Sequence, residues 1–135
     1  AVAAPGVTAA EYLLMPEPAD GSPTELVKGE VVRMSPPSFL HGYVQGNVYY
    51  ALKTYSKQHA SGRPTVESGV LTELGPDTVR GPDVAYWSFA RLPADQTPVV
   101  FANVAPELVA EVVSPSNTRK QIARKVREYF ALGTA

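Results

Sequence analysis

The chain contains no cysteine, which excludes disulfide bonds, thiolate zinc sites and cysteine nucleophiles. Long apolar runs are also absent: no segment approaches the roughly 18 consecutive apolar residues that cross a membrane, so we expect no membrane partner. Charge is scarce, since charged residues make up 19% of the 135 residues and the formal net charge is -1. We therefore do not expect a protein that binds polyanions through bulk positive charge. A reducing, cytoplasmic location fits these features.

Several common catalytic signatures are missing as well. The sequence has no Gly-x-Ser-x-Gly nucleophile elbow, no Walker-type loop and no Gly-x-Gly-x-x-Gly segment. Its two histidines, His41 and His59, are 18 residues apart, which is not the spacing of a zinc motif.

Length and composition favour one domain over residues 1–135, because 44% of the residues are hydrophobic and the 13 prolines concentrate between the predicted elements. Residues 1–22 are expected to be peripheral, apart from a short helix that Thr8 caps and that reaches about Met15. A β-hairpin with a Lys28-Gly29 turn follows, over residues 24–34. Helical spacing of apolar residues then predicts a long amphipathic helix from about Ser38 to His59.

The second half reads as strands followed by a helix. Strands are predicted at 65–72, 83–87 and 106–113, and the nearly all-apolar character of the last predicts a central strand buried on both faces. A final helix runs from Thr118 to about Ala131, and its apolar face carries Ile122, Val126, Tyr129 and Phe130. We expect an α/β fold with a central mixed sheet of about four or five strands, flanked by the helices after Ser38 and Asn117. A helix that leaves a central strand normally returns the chain to the sheet, so one or more strands are expected beyond Ala135.

Asp83 and Glu111 are the two acidic residues in conspicuously apolar strand contexts. A buried carboxylate is costly unless a cation, a metal or a proton neutralises it. Two such carboxylates on adjacent strands can share Mg²⁺, which prefers oxygen ligands. The residues alone leave another interpretation open, in which Glu111 forms a salt bridge in the core and Asp83 caps a turn.

Three segments together resemble the Uma-type restriction endonuclease family of the PD-(D/E)XK nuclease superfamily. They are Pro82-Asp83-Val84, residues 107–117 followed by Lys125 and Tyr129, and residues 25–37 followed by His41. The resemblance covers about Glu11 to Ala135. It implies a restriction-endonuclease-like fold and a Mg²⁺-dependent endonuclease that hydrolyses DNA phosphodiester bonds.

The resemblance also implies roles for individual residues. Asp83 and Glu111 would be catalytic ligands of Mg²⁺, with Mn²⁺ as a substitute. The superfamily places a lysine two residues after the second acid, where this chain has Val113. Lys125, on the final helix, is the candidate to replace it; the alternative is an ordinary solvated lysine.

Secondary candidates are Glu30, His41 and Gln45. Glu30 would add a carboxylate to the metal site or face solvent. His41 would orient a water or contact a phosphate, or simply cap or pack. Gln45, one helical turn after His41, would line the same site. The remaining charges are interpreted as surface: Glu25, Glu67, Glu73, Lys120, Arg124 and Arg127, the three basic ones as solvated or phosphate-facing.

DNA is the expected partner, and a homodimer is possible by analogy, because a duplex has two strands to cleave. The alternative function is a catalytically degenerate nuclease-like module that binds nucleic acid or protein.

Overall fold

Residues 6–135 are described by a computed structural model, and residues 1–5, the start of the segment expected to be peripheral, lie outside that range. The described chain forms three helices and seven strands: α1 (Ala9–Leu14), β1 (Thr24–Val27), β2 (Glu30–Arg33), α2 (Phe39–His59), β3 (Gly62–Val66), β4 (Val70–Glu73), β5 (Thr78–Arg80), β6 (Val84–Ser88), β7 (Leu108–Ala110) and α3 (Arg119–Leu132). None of these three helices is long and apolar enough to cross a membrane.

The predicted helices are confirmed, and side-chain caps fix where each one begins. Thr8 and Ser38 accept hydrogen bonds from backbone N–H groups in the first turns of α1 and α2. Thr118 and Gln121 form a reciprocal capping box at the start of α3. These local signals place the beginnings of α2 and α3, which both border the site described below.

The strands form two antiparallel sheets instead of the single mixed sheet predicted from the sequence. One sheet has the order β2-β1-β5-β4 and the other the order β3-β6-β7. Short connections between neighbours in sequence favour antiparallel pairing. The one parallel bridge outside these strands, among the described residues, joins Val70 to Ala102.

The strand predicted at 65–72 is divided between the two sheets, and β5 was not predicted. Glu67 has a φ of 52°, which ends β3, and β4 begins at Val70. Gly69 lies in the break because a Cβ there would overlap the ring of Phe101. The break sends β4 to pair with β5 instead of continuing β3.

Among residues 6–135, the last strand is neither central nor buried on both faces, contrary to the prediction. In the described three-stranded sheet β7 lies at the edge, and Leu108 is 44% exposed. The central, buried strand is β6, which pairs with both β3 and β7 and buries every residue from Val84 to Trp87. Trp87 packs with Val70 and Ala85 in the core, so the start of β6 is rigidly placed.

Candidate active site

A cavity of about 500 Å³ lies where the two sheets meet the first turn of α2 and the second turn of α3. Its walls come from β1, the segment after β2, the β5–β6 connection and the segment after β7. Two loops rich in serine and proline, residues 35–38 and 114–116, form part of the rim. The charged or titratable side chains that line it are Glu25, His41, Glu67, Asp83, Glu111 and Lys125.

Asp83 lies directly before β6 and is held on several sides. Its Oδ2 accepts a hydrogen bond of 2.7 Å from the backbone N–H of Val112 and lies 3.3 Å from Nε2 of His41. Gln45 donates from Nε2 to the backbone carbonyl of Asp83 at 2.8 Å. The side chains of His41 and Asp83 are 12% and 14% exposed, so this carboxylate is a nearly buried part of the wall.

Glu111 directly follows β7 and faces the same cavity. Tyr129 on α3 donates a hydrogen bond of 3.0 Å from its hydroxyl to Oε1 of Glu111. Burial raises the pKa of Glu111 to about 7; the charge of Lys125 opposes this rise, while the charges of Asp83 and Glu25 add to it. Burial and the Glu111 charge also raise the pKa of Tyr129, so its hydroxyl stays a donor.

Lys125 is not a solvated lysine, which was the alternative interpretation of its sequence position. Its side chain is 14% exposed, and its Nζ lies 3.1 Å from Oε1 of Glu25. Its charge favours the ionised form of Glu111. The lysine thus lies in the cavity wall together with Asp83 and Glu111, although its direct ion pair is with Glu25.

Glu30 is the secondary candidate that the structure keeps apart from this group. It is exposed and does not line the cavity. The reason is the direction of the hairpin: Glu30 pairs with Val27 at the turn, whereas Thr24 and Met34 at the other end line the cavity. Gln45 contacts Asp83 without lining the cavity itself.

Three residues of the site were missed or misread in the sequence. Glu25 is 5% exposed and is not a surface charge. Glu67 is exposed but lines the cavity and accepts a hydrogen bond of 3.4 Å from Gln45. Tyr129 was assigned to the apolar stripe of the last helix; the available signal was its hydroxyl, which needs a partner when buried.

The donor set fits a divalent cation held by two carboxylates. Asp83 uses Oδ2 and Glu111 uses Oε1 in the hydrogen bonds above, which leaves Oδ1 and Oε2 without a hydrogen bond among the described residues. Burial is the main cause of the raised pKa of Glu111, so a bound cation would favour the ionised form of this carboxylate, as the charge of Lys125 already does. Within residues 6–135, no three His, Asp or Glu side chains are placed to hold one ion. Mg²⁺ tolerates such a site, because it commonly keeps several waters beside one or two carboxylates.

Comparisons with known proteins agree with the fold. The chain is similar in structure to the crystal structure of a putative nuclease belonging to DUF820 from Anabaena variabilis ATCC 29413, with a TM-score of 0.78 and 20% sequence identity. The match covers 95% of this chain and 70% of that one, and it confirms the predicted nuclease-like α/β fold. No curated protein matches the chain in sequence.

The sequence profile of the Uma2 family, described as "Putative restriction endonuclease", matches residues 9–135. This match spans nearly the whole chain and confirms the resemblance that the acidic segments suggested. The chain belongs to the Uma2 family of putative restriction endonucleases.

Proposed function

We propose that the protein is a Mg²⁺-dependent endonuclease that hydrolyses DNA phosphodiester bonds in the cavity between its two sheets. The observation that carries this proposal is the placement of Asp83, Glu111 and Lys125 in one cavity wall. Membership of the Uma2 family supports it independently.

The chain's own residues divide the work in a simple way. Asp83 and Glu111 would hold the ion, which, when bound, lowers the pKa of a water and polarises the scissile phosphate. Lys125 would stabilise negative charge that develops on the phosphate oxygens during attack. His41 and the Val112 N–H orient Asp83, and Tyr129 orients Glu111.

Plasmid cleavage tests the proposal. We expect wild-type protein to cleave DNA in Mg²⁺ or Mn²⁺ and to stop when EDTA is added. Asp83→Asn and Glu111→Gln should each abolish cleavage while leaving the circular dichroism spectrum unchanged. Asp95→Asn is the matched control, because Asp95 is exposed in the loop after β6 and does not line the cavity. Cleavage by Glu111→Gln at the wild-type rate would contradict the assignment.

A degenerate module that binds DNA without cleaving it is the second candidate. The observation that favours it is Val113, which is 63% exposed and occupies the position where the superfamily motif has its lysine. Retarded DNA migration together with no cleavage in either metal would support this candidate over the nuclease.

We also propose that the active form is a dimer, because two strands of a duplex need two sites. The exposed apolar and aromatic side chains of α2 support this proposal: Phe39, Leu40 and Tyr43 in its first two turns and Tyr50 near its middle. Light scattering that reports only monomer at assay concentrations would contradict it.

A further inference from the structure

Glu25 is the most deeply buried acidic side chain of the cavity wall, and it is not one of the two proposed metal ligands. Its side chain is 6% exposed, compared with 14% for Asp83. A carboxylate buried to this extent needs specific partners to remain charged. Those partners indicate what it does.

One carboxylate connects three parts of the chain. Oε1 of Glu25 lies 3.1 Å from Nζ of Lys125 on α3 and 3.3 Å from Nη1 of Arg80 on β5. Oε2 accepts a hydrogen bond of 3.0 Å from the backbone N–H of Gly81, two residues before Asp83. Glu25 therefore ties Lys125 to the same segment that places Asp83.

Arg80 alone does not account for Glu25, because Arg80 is already paired with another acid. Its Nε and Nη2 donate to the two oxygens of Glu128 at 2.7 and 2.9 Å, a bidentate pair. Arg80 is therefore shared between two buried carboxylates, Glu25 and Glu128. Each of the two has a second cation of its own: Lys125 for Glu25 at 3.1 Å and Arg124 for Glu128 at 3.0 Å.

We propose that Glu25 is a positioning residue that holds the ammonium group of Lys125 in the cavity wall beside Glu111 and Asp83; this rests on the proposed nuclease function. A lysine has a flexible four-carbon stem, so α3 fixes its backbone but not its charge. The superfamily motif has its lysine two residues after the second acid, but here Val113 occupies that position. Glu25 supplies the constraint that a lysine on a helix lacks.

Lysine labelling tests the positioning without any need for activity. Acetylation read by mass spectrometry should modify Lys125 at least about tenfold more slowly than the exposed Lys120, as a hydrogen bond between charged groups implies. Glu25→Gln should bring the two rates close together. Glu128→Gln is the matched control, because Glu128 contacts Arg80 but makes no ion pair with Lys125 among the described residues.

A second variant covers the case in which Glu25→Gln fails to fold. Glu25→Asp keeps a charge for Arg80 but shortens the reach to Lys125, so it should raise the acetylation rate of Lys125 in the same way. Lys125 that stays protected in a folded Glu25 variant would overturn the proposal.

Cleavage kinetics test what the positioning is for. Glu25→Gln should lower kcat about 10- to 100-fold, as expected when a catalytic group is misplaced by about 1 Å, with KM and Mn²⁺ affinity unchanged. In a Lys125→Met background the same substitution should have no further effect on kcat. An unchanged kcat would overturn the proposal, and a raised kcat would show that Glu25 holds the lysine away from the reaction. Wild-type protein that cleaves no DNA would instead refute the nuclease function and leave the labelling result to decide the positioning.

Discussion

At the scale of single residues, Glu111 has surroundings that disfavour its charge. Burial is the main cause, and the negative charges of Asp83 and Glu25 add to it. Lys125 and the Tyr129 hydroxyl act in the opposite direction without cancelling the effect. The folded protein therefore keeps a proton on Glu111 at pH values where an unfolded chain has already lost it.

This difference predicts a pH-dependent stability in the absence of divalent metal. The folded pKa of about 7 exceeds the ordinary value of 4.5, so the unfolding free energy should fall as pH rises between these values. The fall should be on the order of 3 kcal/mol, since one pKa unit corresponds to about 1.4 kcal/mol. Glu111→Gln should remove this component and exceed wild-type stability at pH 8 but not at pH 5. Urea unfolding in EDTA gives the unfolding free energies of wild type and of Glu111→Gln at each pH. If the two proteins differ by the same amount at pH 5 and pH 8, the assignment is contradicted.

Asp83 and Glu111 were predicted from the sequence, but the third acid in the wall that is not exposed, Glu25, was missed for a physical reason. Asp83 and Glu111 stand out because apolar neighbours surround them in the sequence. Glu25 lies next to Leu26 in a strand, where alternation would place one side chain inside and the other outside. Both are buried, because β1 is an inner strand and α3 contributes Lys125 to its second face. Because α3 is far from β1 in sequence, its contact with the second face of β1 produces no recognisable pattern in the residues around Glu25.

At the scale of elements, α3 packs against the four-stranded sheet through buried ion pairs as well as through apolar contacts. Arg80 on β5 pairs with Glu128, and Arg124 adds a second cation on the same helix. These contacts raise the pKa of Arg80 and lower that of Glu128 in spite of burial, which opposes both shifts. The ion pairs therefore favour the charged forms of both groups.

Arg80→Leu should destabilise the fold strongly, because it removes the buried guanidinium that Glu25 and Glu128 share and leaves their oxygens without those partners. Breaking a buried pair in this way typically costs about 3–5 kcal/mol. Arg33→Ala is the control, since Arg33 pairs with Asp20 on the surface and its side chain is 64% exposed. Urea unfolding should show a large loss for the first variant and almost none for the second. Comparable losses in the two variants would mean that the buried network contributes little.

Helices and turns were predictable because their signals are local. Ser38 and Thr118 cap α2 and α3, and Lys28 and Gly29 both have positive φ in the β1–β2 turn. Strand order was not predictable, because an apolar run such as 108–113 does not distinguish an edge strand from a central one. Pairing partners decide that, and they are set by contacts far apart in sequence.

At the scale of the whole molecule, the net charge is only -1, but the basic residues are distributed unevenly over the chain. Five of the 12 lysine and arginine residues lie on α3. Arg119 and Lys120, both exposed, follow Asn117 at the cavity rim. A phosphate backbone that enters the cavity would therefore meet positive charge at its edge, and the carboxylates of Asp83 and Glu111 inside.

This arrangement predicts how salt affects DNA binding. Lys120→Ala should weaken binding of duplex DNA and reduce the slope of log affinity against log salt by about one. Lys57→Ala is the matched control, because Lys57 is exposed 16 residues after His41 on α2, about 24 Å farther along the helix. Fluorescence anisotropy at several salt concentrations gives both slopes. A larger change for Lys57 than for Lys120 would place the DNA on another face.

The central claim is that Asp83 and Glu111 hold one divalent ion, and anomalous diffraction from crystals soaked in Mn²⁺ tests it most directly. We expect a single strong anomalous peak within coordination distance of both carboxylates, and its loss in crystals of Asp83→Asn. Thermal stabilisation by Mn²⁺ should disappear in the same variant. Anomalous density elsewhere, or none at saturating Mn²⁺ with both side chains ordered, would contradict the account.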